Sequence, residues 1–317
     1  MRLLALLALL ALASLLGLAC AGGMDARFDV AWRLVDQRYW DHARMAVDWD
    51  AQRERYLPLA REAVDDDALF DLLEAMYADI GDDHTVFVRP SRVAEFRERY
   101  GDLPCLGYFG QAATGAPPLK PPTPLEQAGP VGYALLADGT GYLRLEDLVA
   151  SGTATAVRTA VTALLAAGAD AFVLDLRGNP GGRLVTMMQV AGIFTDGFLW
   201  RVLTTWSLPI PYPAFGATLT DAPLAILVDG DVHSAAEGLA GALQQQGRAL
   251  VVGATTAGNV DAVLPFCLRD GSQAWVATGV LAPIGAPSWD QSGVIPDVES
   301  EPELALRAAL RALRTEP

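Results

Sequence analysis

Lysine is almost missing from this chain: of 23 Lys and Arg residues only Lys120 is a lysine, and it lies in the proline-rich run GAPPLKPPTP. A lysine held by a helix or strand to serve as a base is thereby all but excluded. Histidine and cysteine are also scarce, three of each. They form no H-x-x-x-H, C-x-x-C or H-E-x-x-H spacing, so no metal site of those kinds is expected, and no cofactor either. Positive charge is in deficit, with a net charge of −15. That balance argues against nucleic acid or an anionic membrane surface as partner, because phosphate binding needs concentrated Lys and Arg. What is present is apolar: 52% hydrophobic and 19% charged residues over 317 positions, enough for one large or two modest domains with a real core.

The amino end, MRLLALLALLALASLLGLAC, is one arginine followed by a Leu/Ala run closing on small residues. This is the layout of a secretory signal over 1–19, with an uncleaved anchor as the alternative. Its GLAC resembles the lipobox of bacterial lipoproteins, which makes Cys20 a lipid-anchor candidate. Export to a bacterial envelope or periplasm is expected, or else secretion. Cys105 and Cys267 either pair in an oxidising compartment or remain separate buried thiols.

From 24 to 100 the pattern is helical. In DDDALFDLLEAMYADIG, aspartates open the helix, Leu69, Leu72, Leu73, Met76 and Ile80 recur at helical spacing, and Gly81 stops it. DDHT and a β-like VFV follow, placing His84 between a helix end and a strand. Residues 101–130, rich in Gly and Pro, read as an irregular connection. From 131 to 317 strands alternate with helices: VGYALLA and GYLRL, the helix TATAVRTAVTALLAAG, the buried strand AFVLDL, and the helix GRLVTMMQVAGIF. Then come FLWRVLTTW, LAILVDG and ALVVGA, a hairpin around Asp270 and Gly271, and a terminal helix. The succession predicts an α/β core with a mainly parallel sheet.

Two stretches bear chemistry. In VDGDVHSAAEGLAGALQQQG, Ser234 and Glu237 form a capping box where an apolar strand gives way to a helix. Free amides and the positive helix end converge there, so Ser234 is either a cap or a nucleophile. In LDLRGNPGG the glycines put backbone N–H groups before a helix, either as a tight turn with Asp175 and Arg177 paired locally or as an anion site; no GK[ST] follows, so it is not a P-loop. If Ser234 attacks, a base must be found. His42 reads as lying on a helix or a polar surface, His233 as a rim residue diverging from its neighbour, and His84 as the best-placed base. Asp290, Asp83 and Glu237 are all open as the group that orients it, while Asp297 reads as a turn residue.

GYLRL, FVLDLRGNPGG, HSAAEGLAGALQQQGRALVVGATTAG and GVIPDV, in that order, resemble the C-terminal processing and tricorn-type serine peptidases. The segments FDVAWRLVDQRYW and MYADIGDDHT are similar to the helical part of the tricorn-like and retinoid-binding-protein-like branch. The resemblance implies a ClpP/crotonase-like spiral β-α core with an N-terminal helical subdomain. It implies Ser234 as nucleophile, His84 as base, Asp290 as third member, and an oxyanion hole from Gly181 or Gly182 with Ala235. In the processing peptidases the base is a lysine after T-x-G, where this chain has Asn259. Residues 101–130 stand where many members carry a PDZ domain and are too short to be one, so tail-specific recognition is not carried over. The implied function is an exported serine peptidase acting on peptide or protein substrates; the alternative is an inactive binding or scaffold protein on the same fold. Oligomeric state is not legible.

Overall fold

The structure, a computed structural model, describes residues 23–101, 105, 119–205 and 207–315; the expected signal segment, its anchor alternative and Cys20 lie outside them. Three helices open the chain: α1 (Met24–Arg38), α2 (Trp49–Glu62) and α3 (Asp66–Ala78), with a 3-10 turn at His42–Arg44. Aspartates start the second and third: Asp48 accepts from the N–H groups of Asp50 and Ala51, and Asp65 from that of Ala68. The helices close on Phe28, Trp32, Trp49, Leu69, Leu73 and Tyr77. Trp32 and Trp49 each donate an indole N–H to the other's carbonyl, so burial leaves neither polar edge unpaired. The chain turns at Gly81 (φ 84°) into β1 (Val86–Val88) and α4 (Pro90–Tyr100), leaving His84 between helix and strand as its sequence predicts.

The core begins with β2 (Glu126–Ala128), a short strand inside the stretch expected to be irregular. A seven-stranded sheet runs β12 (Val298–Glu299), β9 (Leu250–Gly253), β8 (Leu224–Val228), β5 (Ala171–Asp175), β4 (Thr140–Leu145), β3 (Val131–Leu135), β2. It is parallel from β12 to β4 and antiparallel beyond. Alternation along the buried strands supplies two faces. Leu143, Phe172, Leu174, Ile226 and Val251 pack with α5 (Thr153–Ala166), α6 (Leu184–Ala191) and α7 (Ala235–Gln245), while Tyr142, Val173, Ala225 and Val252 pack with α8 (Pro302–Thr315).

The mainly parallel sheet is thus present, but it is not alone. The hairpin at Asp270 and Gly271 joins β10 (Asp261–Cys267) to the long β11 (Gln273–Pro283), and this pair seeds a second, antiparallel sheet with β1, β6 (Phe198–Leu203) and β7 (Ile210–Pro213). β1 pairs along β11, with Val86 opposite Trp275, and Phe87, Ala274, Val276 and Ala277 share a core with the opening helices. This contact carries His84 to the α/β core. Of the two alternatives for the cysteines, Cys105 and Cys267 form a disulfide with their Cα atoms 5.6 Å apart.

Candidate active site

Ser234 stands between β8 and α7 with φ 55° and ψ −123°, a conformation that side chains other than glycine rarely hold. Several hydrogen bonds impose it. Its N–H faces the Asn259 carbonyl at 2.8 Å and the Glu237 carboxylate at 2.9 Å. Glu237, fully buried, also accepts from the Thr256 hydroxyl at 2.6 Å and from the N–H groups of Gly258 and Asn259 at 2.7 and 2.9 Å. The capping arm expected of Glu237 is therefore formed, and the same carboxylate pins the 256–259 loop to the serine. Burial pushes its pKa up; these four donors act against that shift. Asn259 brackets Ser234 with its backbone, its carbonyl on the serine N–H and its own N–H on Glu237.

The glycine turn docks against this corner. Asp175, buried at the end of β5, accepts from Tyr142 at 2.6 Å, Arg144 at 3.0 Å and the Arg177 Nε at 2.8 Å, so the local Asp175–Arg177 pair is present. Burial would raise the Asp175 pKa, but the two guanidinium groups and the tyrosine hold it below the usual value. Asn179 donates to the Leu145 carbonyl at 2.9 Å, accepts the Gly181 N–H at 2.8 Å, and receives the His233 N–H on its own carbonyl at 3.0 Å. Gly181 (φ 93°) lies so close that a Cβ would come within 2.8 Å of the Ser234 Cβ. One expectation is corrected here: with its N–H held by Asn179, Gly181 has no amide to offer an oxyanion. Among the described residues the N–H groups of Gly182 and Ala235 have no protein acceptor. They flank Ser234.

His84 is buried, with its Nδ1 3.5 Å from the Asp261 carboxylate, long for a hydrogen bond but close for an ion pair. Asp261 begins β10, just before a register irregularity at Ala262 and Val263 where Thr278 of β11 is skipped. A bulge of this kind re-aims side chains beside a site. Burial alone would lower the His84 pKa; the Asp261 contact and the charges of Asp261, Asp82 and Asp83 outweigh it and leave it raised.

The expected contact of Asp290 is also corrected: among the described residues no hydrogen bond joins it to the imidazole, and it pairs with Arg44 at 2.8 Å. Asp83 is exposed, and the Glu237 oxygens are taken by other donors. Asp261 escaped sequence reading because its partner is remote in the chain, although a lone acid opening the apolar strand DAVLPFC was a usable signal. His42 sits in the 3-10 turn with its ring edge-on to that of Tyr39, His233 is partly exposed beside the glycine turn, and Asp297 accepts the Val251 N–H of β9 at 2.8 Å, a contact remote in the chain.

Ser234, Ala235, Gly182 and Asp261 share a pocket whose apolar walls are Leu184, Val202, Val260, Val263 and Leu281. His84 is not one of its walls; it joins the site through Asp261. The arrangement supplies a serine on a strained backbone, two pocket-lining residues whose amides have no protein acceptor among the described residues, and an imidazole–carboxylate pair, the parts that acyl transfer uses.

Comparison with known proteins bears on the family and the fold. Residues 139–300 match the family model described as Peptidase family S41, and residues 25–78 match the Tricorn protease C1 domain. A carboxyl-terminal-processing protease of Picosynechococcus sp. is 39% identical over 133 residues, 42% of this chain and 32% of that protein. The chloroplastic carboxyl-terminal-processing peptidase 3 of Arabidopsis thaliana is 33% identical over 50% of this chain and 31% of its own length. The matched part thus spans about a third of these curated relatives. Among solved structures, the photosystem II D1 C-terminal processing protease superposes with a TM-score of 0.67 at 23% identity, covering 93% of this chain and 98% of that one. A lipoprotein from Streptococcus agalactiae gives a TM-score of 0.72 at 14% identity, covering 94% and 98%. At such identities the two structures share the fold.

Proposed function

The chain belongs to peptidase family S41, and from that premise we propose that it is an exported serine peptidase whose base is a histidine. Ser234 attacks the scissile carbonyl. His84 takes the hydroxyl proton on Nε2, since its Nδ1 lies toward Asp261, and Asp261 orients the ring and offsets the imidazolium charge. The N–H groups of Gly182 and Ala235 receive the oxygen as charge develops on it; the C–N bond then breaks, the leaving amine takes the proton from His84, and a water that His84 deprotonates releases the acyl group and restores the Ser234 hydroxyl. The apolar pocket suits an aliphatic side chain of a peptide or protein substrate. The disulfide, typical of oxidising compartments, supports export, as does the leader. Cys20 remains the proposed lipid anchor.

The observation that carries this reading is the non-glycine residue at φ 55° held between two unoccupied amides. A fluorophosphonate probe tests it. Labelling of the wild type that vanishes in Ser234→Ala, with hydrolysis lost in Ser234→Ala and His84→Ala while both fold, is the expected result. A second reading, a peptidase fold kept for binding, is favoured by the absence of His84 from the pocket walls. Silence of the probe in well-folded protein would select it.

A further inference from the structure

Charge is concentrated around His84 to an extent that the proposed mechanism does not use. Its own loop brings Asp82 and Asp83, β10 brings Asp261, and the loop before β12 brings Asp290, whose charge couples to the imidazole. Tyr39, at the end of α1, faces Asp82 and Asp261 and is held neutral by burial and by their charges. Among the described residues Arg44 is the cation paired with two of these four carboxylates. Arg44, from the 3-10 turn, places Nη1 2.8 Å from Asp290 and 3.9 Å from Asp261, and Nη2 3.4 Å from the other Asp290 oxygen. Its guanidinium lies over the Trp40 ring at 4.9 Å, so the fork is held in place by stacking as well as by charge.

An imidazole with only anions around it would keep its proton at neutral pH and fail as a base. We propose that Arg44 is a positioning residue that bridges Asp261 and Asp290, balancing their charge so that His84 is neutral in the working pH range. Asp290 is the anchor of that bridge. The Arg44, Asp290 and Asp261 side chains are at most a quarter exposed (25%, 16% and 6%), so the interaction is less screened than a surface pair. The distance from Arg44 to Asp261 leaves that carboxylate to His84, which a closer, bidentate arginine would take for itself.

The consequence for catalysis rests on the peptidase reading, but the test does not. The imidazole of His84 is titrated by NMR in the full chain, its signal assigned by loss in His84→Gln. Arg44→Met is expected to raise the midpoint by about one pH unit. Asp290→Asn is expected to lower it, the double variant to return it near the wild-type value, and Arg44→Lys to restore most of it. A midpoint that stays or falls in Arg44→Met overturns the proposal. Should Arg44→Met not fold, as judged by its thermal transition, Asp290→Asn decides: a lower midpoint supports the bridge, while an unchanged or higher one overturns it. Midpoints that move as expected in a chain that hydrolyses nothing would uphold Arg44 and sink the peptidase reading.

Discussion

Around Ser234 backbone groups and a buried carboxylate are joined by hydrogen bonds, whereas the His84 backbone N–H is held by Asp82 but its ring meets Asp261 in a looser contact that leaves two buried atoms, His84 Nδ1 and an Asp261 oxygen, without a hydrogen-bond partner. The serine side carries Glu237 with its four donors and Asn179 locking the glycine turn. It is built before any substrate arrives. The histidine side depends on Coulomb interaction among His84, Asp261, Arg44 and Asp290, which varies with pH and tolerates small displacements. Preorganised amides suit the half that must meet a developing oxyanion without reorganising, while a softer contact suits the half that gains and loses a proton.

Substitutions can break each half separately. Ser234→Ala removes the reacting atom and should lower hydrolysis of a peptide substrate by roughly 10⁴-fold or more with the fold intact; turnover near wild type would place the nucleophile elsewhere. Asp261→Asn should cost about 10⁴-fold, as when the group orienting a catalytic histidine is replaced, whereas Asp290→Asn at pH 8 should cost less than about tenfold. The reverse order, read from kcat/KM, would reinstate Asp290 as the orienting acid. In the rigid half, Glu237→Ala leaves the Thr256 hydroxyl and the N–H groups of Gly258 and Asn259 without this acceptor, while the Ser234 N–H keeps the Asn259 carbonyl, and should lower unfolding free energy by about 3–5 kcal/mol. Glu237→Gln should be milder in a denaturant titration, because one amide oxygen still accepts.

The smallest effect concerns pH. Because the His84 pKa is raised in the folded state, its charged form stabilises the fold below the ordinary value of about 6.5, and that contribution is lost as pH rises through the folded value. Activity runs the other way. The acid limb of kcat/KM should have its midpoint above about 6.5 and move down in Asp261→Asn. A limb below that value in the wild type would remove His84 as the base.

The nucleophile half was largely legible in sequence. Ser234 and Glu237 are three residues apart, and the glycine turn is contiguous, so short-range rules mark both. The histidine half was legible only in part. His84 could be placed at a helix–strand junction, but not its partner, since Asp261 meets it only when β1 and β10 both pair with β11. Asp290 was read by position relative to the GVIPD turn; its side chain goes to Arg44, a residue in the helical front part that no local pattern connects to it.

By itself the sequence determined most of the elements, the capping box at the serine corner and the glycine turn, because helix caps, turns and buried strands are set by contacts among near neighbours. The tertiary structure alone decided which carboxylate lies beside the imidazole, which amides have no protein acceptor among the described residues, and that Arg44 sits between Asp261 and Asp290. Those depend on distances of a few ångströms between segments brought together by sheet pairing, and charge–charge interaction is sensitive at that scale.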